Sequence, residues 1–296
     1  MSAHAEEPPS PAAARRTLVV KFGGEVVADG ARLGAVLDDV ARLVRDGHRI
    51  LLCHGGGPQA GRLQRALGLE PHKVAGRRVT DPATLEVVVR VLAGEVSVAV
   101  VSAALARGIS AVGVSGVSGP TVVADRRPPI RVPGHDEPVD YGLVGRVRRV
   151  ETRLVEHLWS GGYVPVLNPL GVEVPAPEGA HACPVYNINA DTVACAVAGA
   201  LGADDLFLMS DVPGILRDVD DPASRIATMD RAQVEAAIAD GTIAGGMIPK
   251  VQGALRALDA GVGRVHVCGA GGGVLADEMA SPGSRGTTLV AGGAAS

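Results

Sequence analysis

Apolar and polar positions alternate along this chain in two rhythms. Short, mostly apolar runs at Thr17 to Phe22, Arg49 to His54, Ser110 to Val114, Tyr163 to Leu167, Asp205 to Ser210 and Arg264 to Cys268 read as buried strands. Between them, Ala31 to Arg45 repeats apolar residues at helical spacing. Asp81-Pro82 supplies a cap and a first-turn proline for a long helical stretch to Leu105, with a break expected near Gly94. Strands separated by helices imply a mostly parallel sheet, of about eight strands in a chain of this size. Pro120 to Val139 and Pro175 to Pro184 lose the periodicity and are expected as loops or a short surface hairpin. No fixed-period repeat or heptad pattern is present, and a soft boundary is expected near Asn187.

Composition narrows the function classes. The chain has 296 residues, 47% of them hydrophobic, enough for a full core. A net charge of -4, with no basic stripe interleaved with aromatics, argues against nucleic acid. The longest uncharged apolar stretches, Val96 to Ala106 and Thr192 to Ala203, fall short of the roughly 20 residues that span a bilayer, so no membrane segment is expected. Residues 1 to 16, with Glu6, Glu7 and three prolines, resemble neither a secretory signal nor a transit peptide and are expected as a flexible tail. Cys53, Cys183, Cys195 and Cys268 lack CxxC spacing, and three of them sit in or beside apolar runs, which fits a reducing cytoplasm. His181-Ala-Cys183 has no second pair to complete a metal site, and most of the eight histidines are expected on loops or the surface.

Candidate chemistry begins with the lysines. Of 28 basic side chains only Lys21, Lys73 and Lys250 are lysine. Two of these lie beside double glycines, in Lys21-Phe-Gly23-Gly24 and Gly245-Gly246-Met247-Ile-Pro-Lys250. A lysine retained in an arginine-rich chain points to a need for a compact ammonium, as at a phosphate. His54-Gly55-Gly56-Gly57-Pro58-Gln59 follows a strand and opens a helix, which makes it either a backbone anion cradle or a tight turn. Asn187-Ile-Asn189-Ala-Asp191 precedes a helix and holds more short polar side chains than one cap needs. Gly76-Arg77-Arg78-Val79-Thr80-Asp81 offers guanidinium groups suited to a carboxylate. No Gly-Lys dipeptide exists, so a Walker A loop is excluded. Cys268-Gly269-Ala-Gly271-Gly-Gly273-Val274 fails the dinucleotide fingerprint at its last glycine. Serine-nucleophile and HExxH patterns are absent.

Taken in order, these segments, together with Gly142-Leu-Val-Gly145 and Ser210-Asp211-Val-Pro-Gly214-Ile215, resemble the amino-acid kinase family from Thr17 to Leu289. Within it, HGGGPQ, GxRVTD, NINAD and GGMIPK resemble the branch acting on N-acetyl-L-glutamate. The resemblance implies a three-layer α/β/α sandwich in which residues 17–186 hold an acyl-amino acid and form a dimer, while residues 187–296 hold ATP. It implies that Lys21 and Lys250 stabilise a transferring phosphoryl group, that Asp191 holds both ammoniums, and that backbone N–H groups of Gly23, Gly24 and Gly56 meet phosphate oxygens. Gly56, Gly57, Arg78, Asn187 and Asn189 would bind the acid. Ser210, Asp211, Gly214, Ile215, Leu216, Gly245, Gly246, Met247 and Lys250 would follow the nucleotide, with Mg²⁺ carried on its phosphates and no protein metal site. The implied reaction is phosphorylation of the side-chain carboxylate, the second step of arginine biosynthesis, by a cytoplasmic enzyme. Three departures from the family pattern leave the phosphoryl-transfer residues intact: Cys268 to Gly271, Gly94-Glu95-Val96-Ser97, and Ser115 to Gly119. They admit a different amino-modified dicarboxylate, such as an aminoadipate derivative, and a non-catalytic regulatory homologue is the remaining alternative. Pro8, Pro9 and Pro11 interrupt the region where arginine-inhibited hexameric relatives carry a long helix, so an arginine-insensitive homodimer is expected.

Overall fold

The computed structural model describes residues 14–292. The expected tail therefore lies mostly outside the described residues. Its last residue is anchored: the Arg16 guanidinium pairs with Asp205, and its backbone N–H donates to His48 Nδ1 at 3.1 Å.

Eight strands form the central sheet in the order Thr228–Met229, Gly286–Val290, Arg264–Gly269, Asp205–Ser210, Thr17–Phe22, Arg49–His54, Val164–Asn168, Ala111–Ser115. All neighbours are parallel except Arg264–Gly269 with Gly286–Val290. Helices cover both faces, which gives three α/β/α layers. The pleat divides the core between them. Leu18, Val20 and Phe22 enter the layer with the Gly30–Arg45 helix, whereas Val19 enters the layer with the Ala190–Ala200 and Met247–Asp259 helices. Because side chains alternate along a strand, Lys21 must face the same side as Val19. Its ammonium thus lies toward the helix that begins at Ala190.

Gly30–Arg45 is capped by Asp29, whose carboxylate accepts from Ala31 and Arg32 N–H, and it buries Leu33, Val36, Leu37, Val40 and Leu43 at helical spacing. The long stretch from Pro82 to Leu105 is continuous, and the expected break is a π-helical segment at Arg90–Val96 that contains Gly94. By length and composition this run could cross a membrane, which a search confined to uncharged stretches misses because Glu86, Arg90 and Glu95 punctuate it. Here Val87, Val88, Val91, Leu92, Val96 and Val100 pack into the core.

One expectation needs correction. The segment after Pro120 is not purely surface loop: Val122–Arg126 is a strand of a second, four-stranded sheet, and its Val122 and Ala124 are fully buried. The cluster Val122-Val123-Ala124 supplies the apolar surface, and the surrounding prolines mask it in the sequence. Most of the described histidines are exposed, as expected, while His54 and His266 are buried.

His266 belongs to a buried polar knot. Its Nε2 lies 2.9 Å from Asp205 and its Nδ1 2.9 Å from Glu278. Glu278 also accepts from the backbone N–H groups of Gly283, Arg285 and Gly286 and from the Thr288 hydroxyl, all at 2.5–2.9 Å. Burial alone would push this carboxyl up. The hydrogen bonds from His266 and the backbone outweigh it and hold the group at about 2. A pKa depressed below its ordinary value of 4.5 stabilises the fold above that value, and the contribution disappears as pH falls toward about 2. Glu278→Gln should therefore cost about 3 kcal/mol of unfolding free energy at neutral pH. In urea titrations the gap between variant and wild type should narrow below about pH 4.5 and close only as pH approaches about 2; an unchanged gap there contradicts this account.

Candidate active site

The sheet reverses its winding beside the Thr17–Phe22 strand: chain order runs one way through Arg49–His54 and the other way to Asp205–Ser210. Ligands of open parallel sheets bind at the carboxyl ends of strands at such a switch point. Lys21-Phe-Gly23-Gly24, His54-Gly55-Gly56-Gly57 and Ser210-Asp211 emerge together there.

The two glycine turns interlock. Gly55 N–H donates to Phe22 C=O at 3.0 Å, and Gln59 Nε2 donates to Gly24 C=O at 2.8 Å. A Cβ on Gly24 would sit 2.5 Å from Gln59 Oε1, 2.8 Å from Pro58 and 3.0 Å from Gly56 Cα, so only glycine lets these backbones approach. Gly56 is restricted from the other side, where a Cβ would strike Leu92 of the π-helical segment at 2.7 Å. His54 lies beneath these turns. Burial pushes its pKa down to about 4, so the imidazole is neutral at physiological pH.

At the edge of this cradle Lys21 Nζ stands 2.7 Å from one oxygen of Asp191, and Lys250 Nζ donates to the other at 3.0 Å. Three elements converge on this carboxylate. Lys21 comes from the central strand, Asp191 from the first turn of Ala190–Ala200, and Lys250 from the first turn of Met247–Asp259. Asn189 is the cap of the Ala190–Ala200 helix, accepting from Thr192 N–H at 3.0 Å, which leaves Asp191 for the lysines. Burial pushes Asp191 up, but the two ammonium groups more than compensate and hold it at about 2. Burial also lowers the Lys250 pKa, with Asp191 opposing and Lys21 adding to the fall.

A cavity of about 250 Å³ opens in front of this group, lined among others by Lys21, Gly23, Gly24, Gly56, Gly57, Arg78, Asn187 and Asn189. Arg78 is aimed by Gln64 Oε1 and by Gly57 C=O at 3.1 Å. Asn187 Nδ2 donates to Thr80 Oγ1 at 3.1 Å. The remaining candidates surround Lys250 and the Ser210 turn rather than this cavity. Ser210 is half-buried with an unpaired Oγ, and exposed Asp211 pairs with Arg32 at 2.8 Å. Gly214 and Ile215 are buried, with Ile215 N–H donating to Thr287 Oγ1 at 2.8 Å, and Leu216 is half-buried. Gly245 and Gly246 are exposed beside half-buried Met247, and Gly245 adopts φ +54°.

Sequence reasoning named Gln59 only as the end of a motif and gave no part to Gln64, Val88, Leu92 or Arg127. The two glutamines organise the cradle and Arg78, while the others line the cavity. Gln64 and Arg127 lie outside any glycine motif, so their sole sequence signal was a polar residue near one. Lys73 and Arg77 reach the cavity from a short two-stranded hairpin, Lys73–Val74 with Arg77–Arg78.

The model of the Amino acid kinase family matches residues 16–269. An acetylglutamate kinase of Sorangium cellulosum is 50% identical over 275 residues, spanning 92% of this chain and 94% of that protein. Another, from an Anaeromyxobacter species, is 46% identical over 277 residues, or 93% and 99%. Among solved structures, N-acetylglutamate synthase of Neisseria gonorrhoeae complexed with coenzyme A and N-acetyl-glutamate superposes with a TM-score of 0.75 at 25% identity, covering 94% of this chain and 60% of that one. With the twin-lysine carboxylate, the interlocked glycine turns and a match over most of its length, this chain belongs to the amino acid kinase family.

Proposed function

We propose that this protein transfers the γ-phosphoryl group of ATP to the side-chain carboxylate of N-acetyl-L-glutamate. The observation that carries the reading is the pair of lysine ammoniums held on Asp191 at the rim of a glycine-lined cavity. The two relatives named acetylglutamate kinase support the choice of acid.

The acceptor carboxylate is ionised at neutral pH and needs no general base. One of its oxygens forms a bond to the γ-phosphorus as the bond from that phosphorus to the β-bridging oxygen breaks, and ADP leaves with the electron pair. Charge spreads over the three equatorial oxygens, and Lys21 and Lys250 neutralise it from fixed positions. Asp191, ionised far below neutral pH, holds both ammoniums so that they need not be gathered during the reaction. Backbone N–H groups of Gly24 and Gly56 add donors, with Gly23 alongside. Arg78 takes the α-carboxylate, Asn187 and Asn189 the amide, and Gly57 borders the acid. In this division residues 17–186 carry most of the acid site. Residues 187–296 carry ATP along Ser210 to Leu216 and Gly245 to Lys250.

No group of three or more His, Cys, Asp or Glu able to hold a metal occurs among the described residues, and Asp191 is already taken by two lysines. Mg²⁺ would accordingly be carried on the ATP phosphates, where it supplies further charge neutralisation. The same reading places the enzyme in the cytoplasm as a homodimer. Val98 and Leu105 are 65% and 56% exposed on the long apolar helix, a face a second copy would cover.

Purified protein with Mg-ATP, N-acetylglutamate and hydroxylamine should yield the acyl hydroxamate. Its absence, with hydroxamate formed from another dicarboxylate, would reassign the substrate. Lys250→Arg should lower kcat by about 10²-fold, as for a misplaced preorganised donor. A pure binding protein would show no turnover to lose. Because Asp191 sits near 2 and Lys250 is depressed, kcat/KM should show no acid limb from Asp191 above about pH 4. The activity should fall on the alkaline side below the ordinary lysine value of 10.5, as Lys250 loses its proton. Light scattering should return twice the chain mass of 29.9 kDa, unchanged by arginine; a monomer or a hexamer would contradict it.

A further inference from the structure

A second concavity, of about 650 Å³, runs along the Ala190–Ala200 and Met247–Asp259 helices beneath the Gly145–Val150 strand. Its lining contains six arginines, Arg77, Arg127, Arg146, Arg148, Arg149 and Arg256, and no carboxylate. Asp125 takes up Arg146 at 2.8–3.0 Å and lies 3.6 Å from Arg148, while Glu151 takes up Arg149 at 2.6 Å. The other three guanidiniums, Arg77, Arg127 and Arg256, have no ion pair or side-chain hydrogen bond among the described residues. Arg127 Nε is sequestered from solvent with no partner among the described residues. Burial lowers the Arg127 pKa first, and its neighbours Arg77, Arg146 and Arg256 lower it further, so these cations repel one another across the groove. Like charges gathered without a counter-charge cost stability, and a preformed cluster of this kind is repaid when an anion enters.

We propose that this arginine groove is a second anion site, adjoining the kinase centre, that takes a small ligand bearing two or more phosphate or carboxylate groups. Neither Lys250 nor the Ser210 turn lines it, so the nucleotide expected at the strand ends does not account for it. Its volume suits a small molecule. No aromatic side chain lines it for base stacking, which argues against single-stranded nucleic acid. Arg77, Arg127 and Thr192 line both concavities, so an anion in the groove draws on guanidiniums that also face the acid site. The site stands on its own observations and does not require the kinase reading.

The test is calorimetric titration of the full chain with inorganic pyrophosphate and, separately, citrate, with the nucleotide site saturated by a non-hydrolysable ATP analogue. Pyrophosphate and citrate distinguish a phosphate from a carboxylate ligand. One site should appear for at least one of them, weakening as NaCl rises. Arg256→Gln changes an exposed residue that lines only the groove; it should weaken binding by about tenfold or more, with the circular dichroism spectrum and Tm unchanged. Arg78→Lys should leave the affinity as it was. No binding of either probe up to about 1 mM, equal affinity in Arg256→Gln, or loss in Arg78→Lys alone would overturn the proposal. Tighter binding of an acidic hexapeptide than of either probe, lost in Arg256→Gln, would also overturn it by assigning the groove to a protein partner.

Discussion

One carboxylate holding two ammonium groups is the constraint on which the site depends. Two unit charges about 4 Å apart repel by about 4 kcal/mol at an effective dielectric of 20, so lysines brought to one point must be offset. Asp191 does this with both oxygens, and its location in the first turn of a helix adds the favourable end of the backbone dipole. The carboxylate resists protonation despite burial because two cations need it, and the cations tolerate proximity because it stays charged. Removal of any member leaves the others with a buried charge out of balance.

That constraint reaches into the packing. The helices carrying Asp191 and Lys250 must lie close along their lengths, and small residues permit it. A Cβ on Gly253 would already be 3.4 Å from Cys195 Sγ, and one on Gly199 would meet the Ala260 methyl at 2.6 Å. On the opposite flank Gly24 and Gly56 allow the two strand-end turns to touch, and Gln59 fastens them. The π-helical segment then presses Leu92 against Gly56. Lysines, glycine turns and apolar wall are thus positioned by close approaches of backbone.

The parallel core was legible because strands buried on both faces appear as continuous apolar runs, as in Leu18 to Phe22 and Leu206 to Met209. The motif residues were legible because glycines beside scarce lysines carry a physical signal. Less visible was whatever depends on partners distant in sequence. Val122 to Ala124 is too short an apolar run to declare itself among prolines, and pairing with the Gly145–Val150 and Leu170–Val172 strands makes it a strand. His266 is accepted inside the protein because Asp205 and Glu278 meet it there, a convergence no local pattern records. Arg78 was found beside a glycine, whereas the glutamine that aims it, Gln64, lies 14 residues away in a helix.

The division of cations in this chain follows from the shape of each group. Arginine, planar and forked, suits a carboxylate with a fixed outline, and Arg78 is held by Gln64 and Gly57 so that its fork faces the cavity. A phosphoryl group in transfer has no fixed outline; its oxygens flatten and move between donor and acceptor. A compact ammonium on a flexible stem can follow that change while one hydrogen bond to Asp191 limits its range. Guanidinium serves elsewhere in this chain, including the groove where three such groups have no side-chain partner among the described residues. On the proposed reaction, lysine suits the positions of Lys21 and Lys250 because the site would bind a charge distribution that changes shape, and a rigid fork would favour the reactant over the transition state.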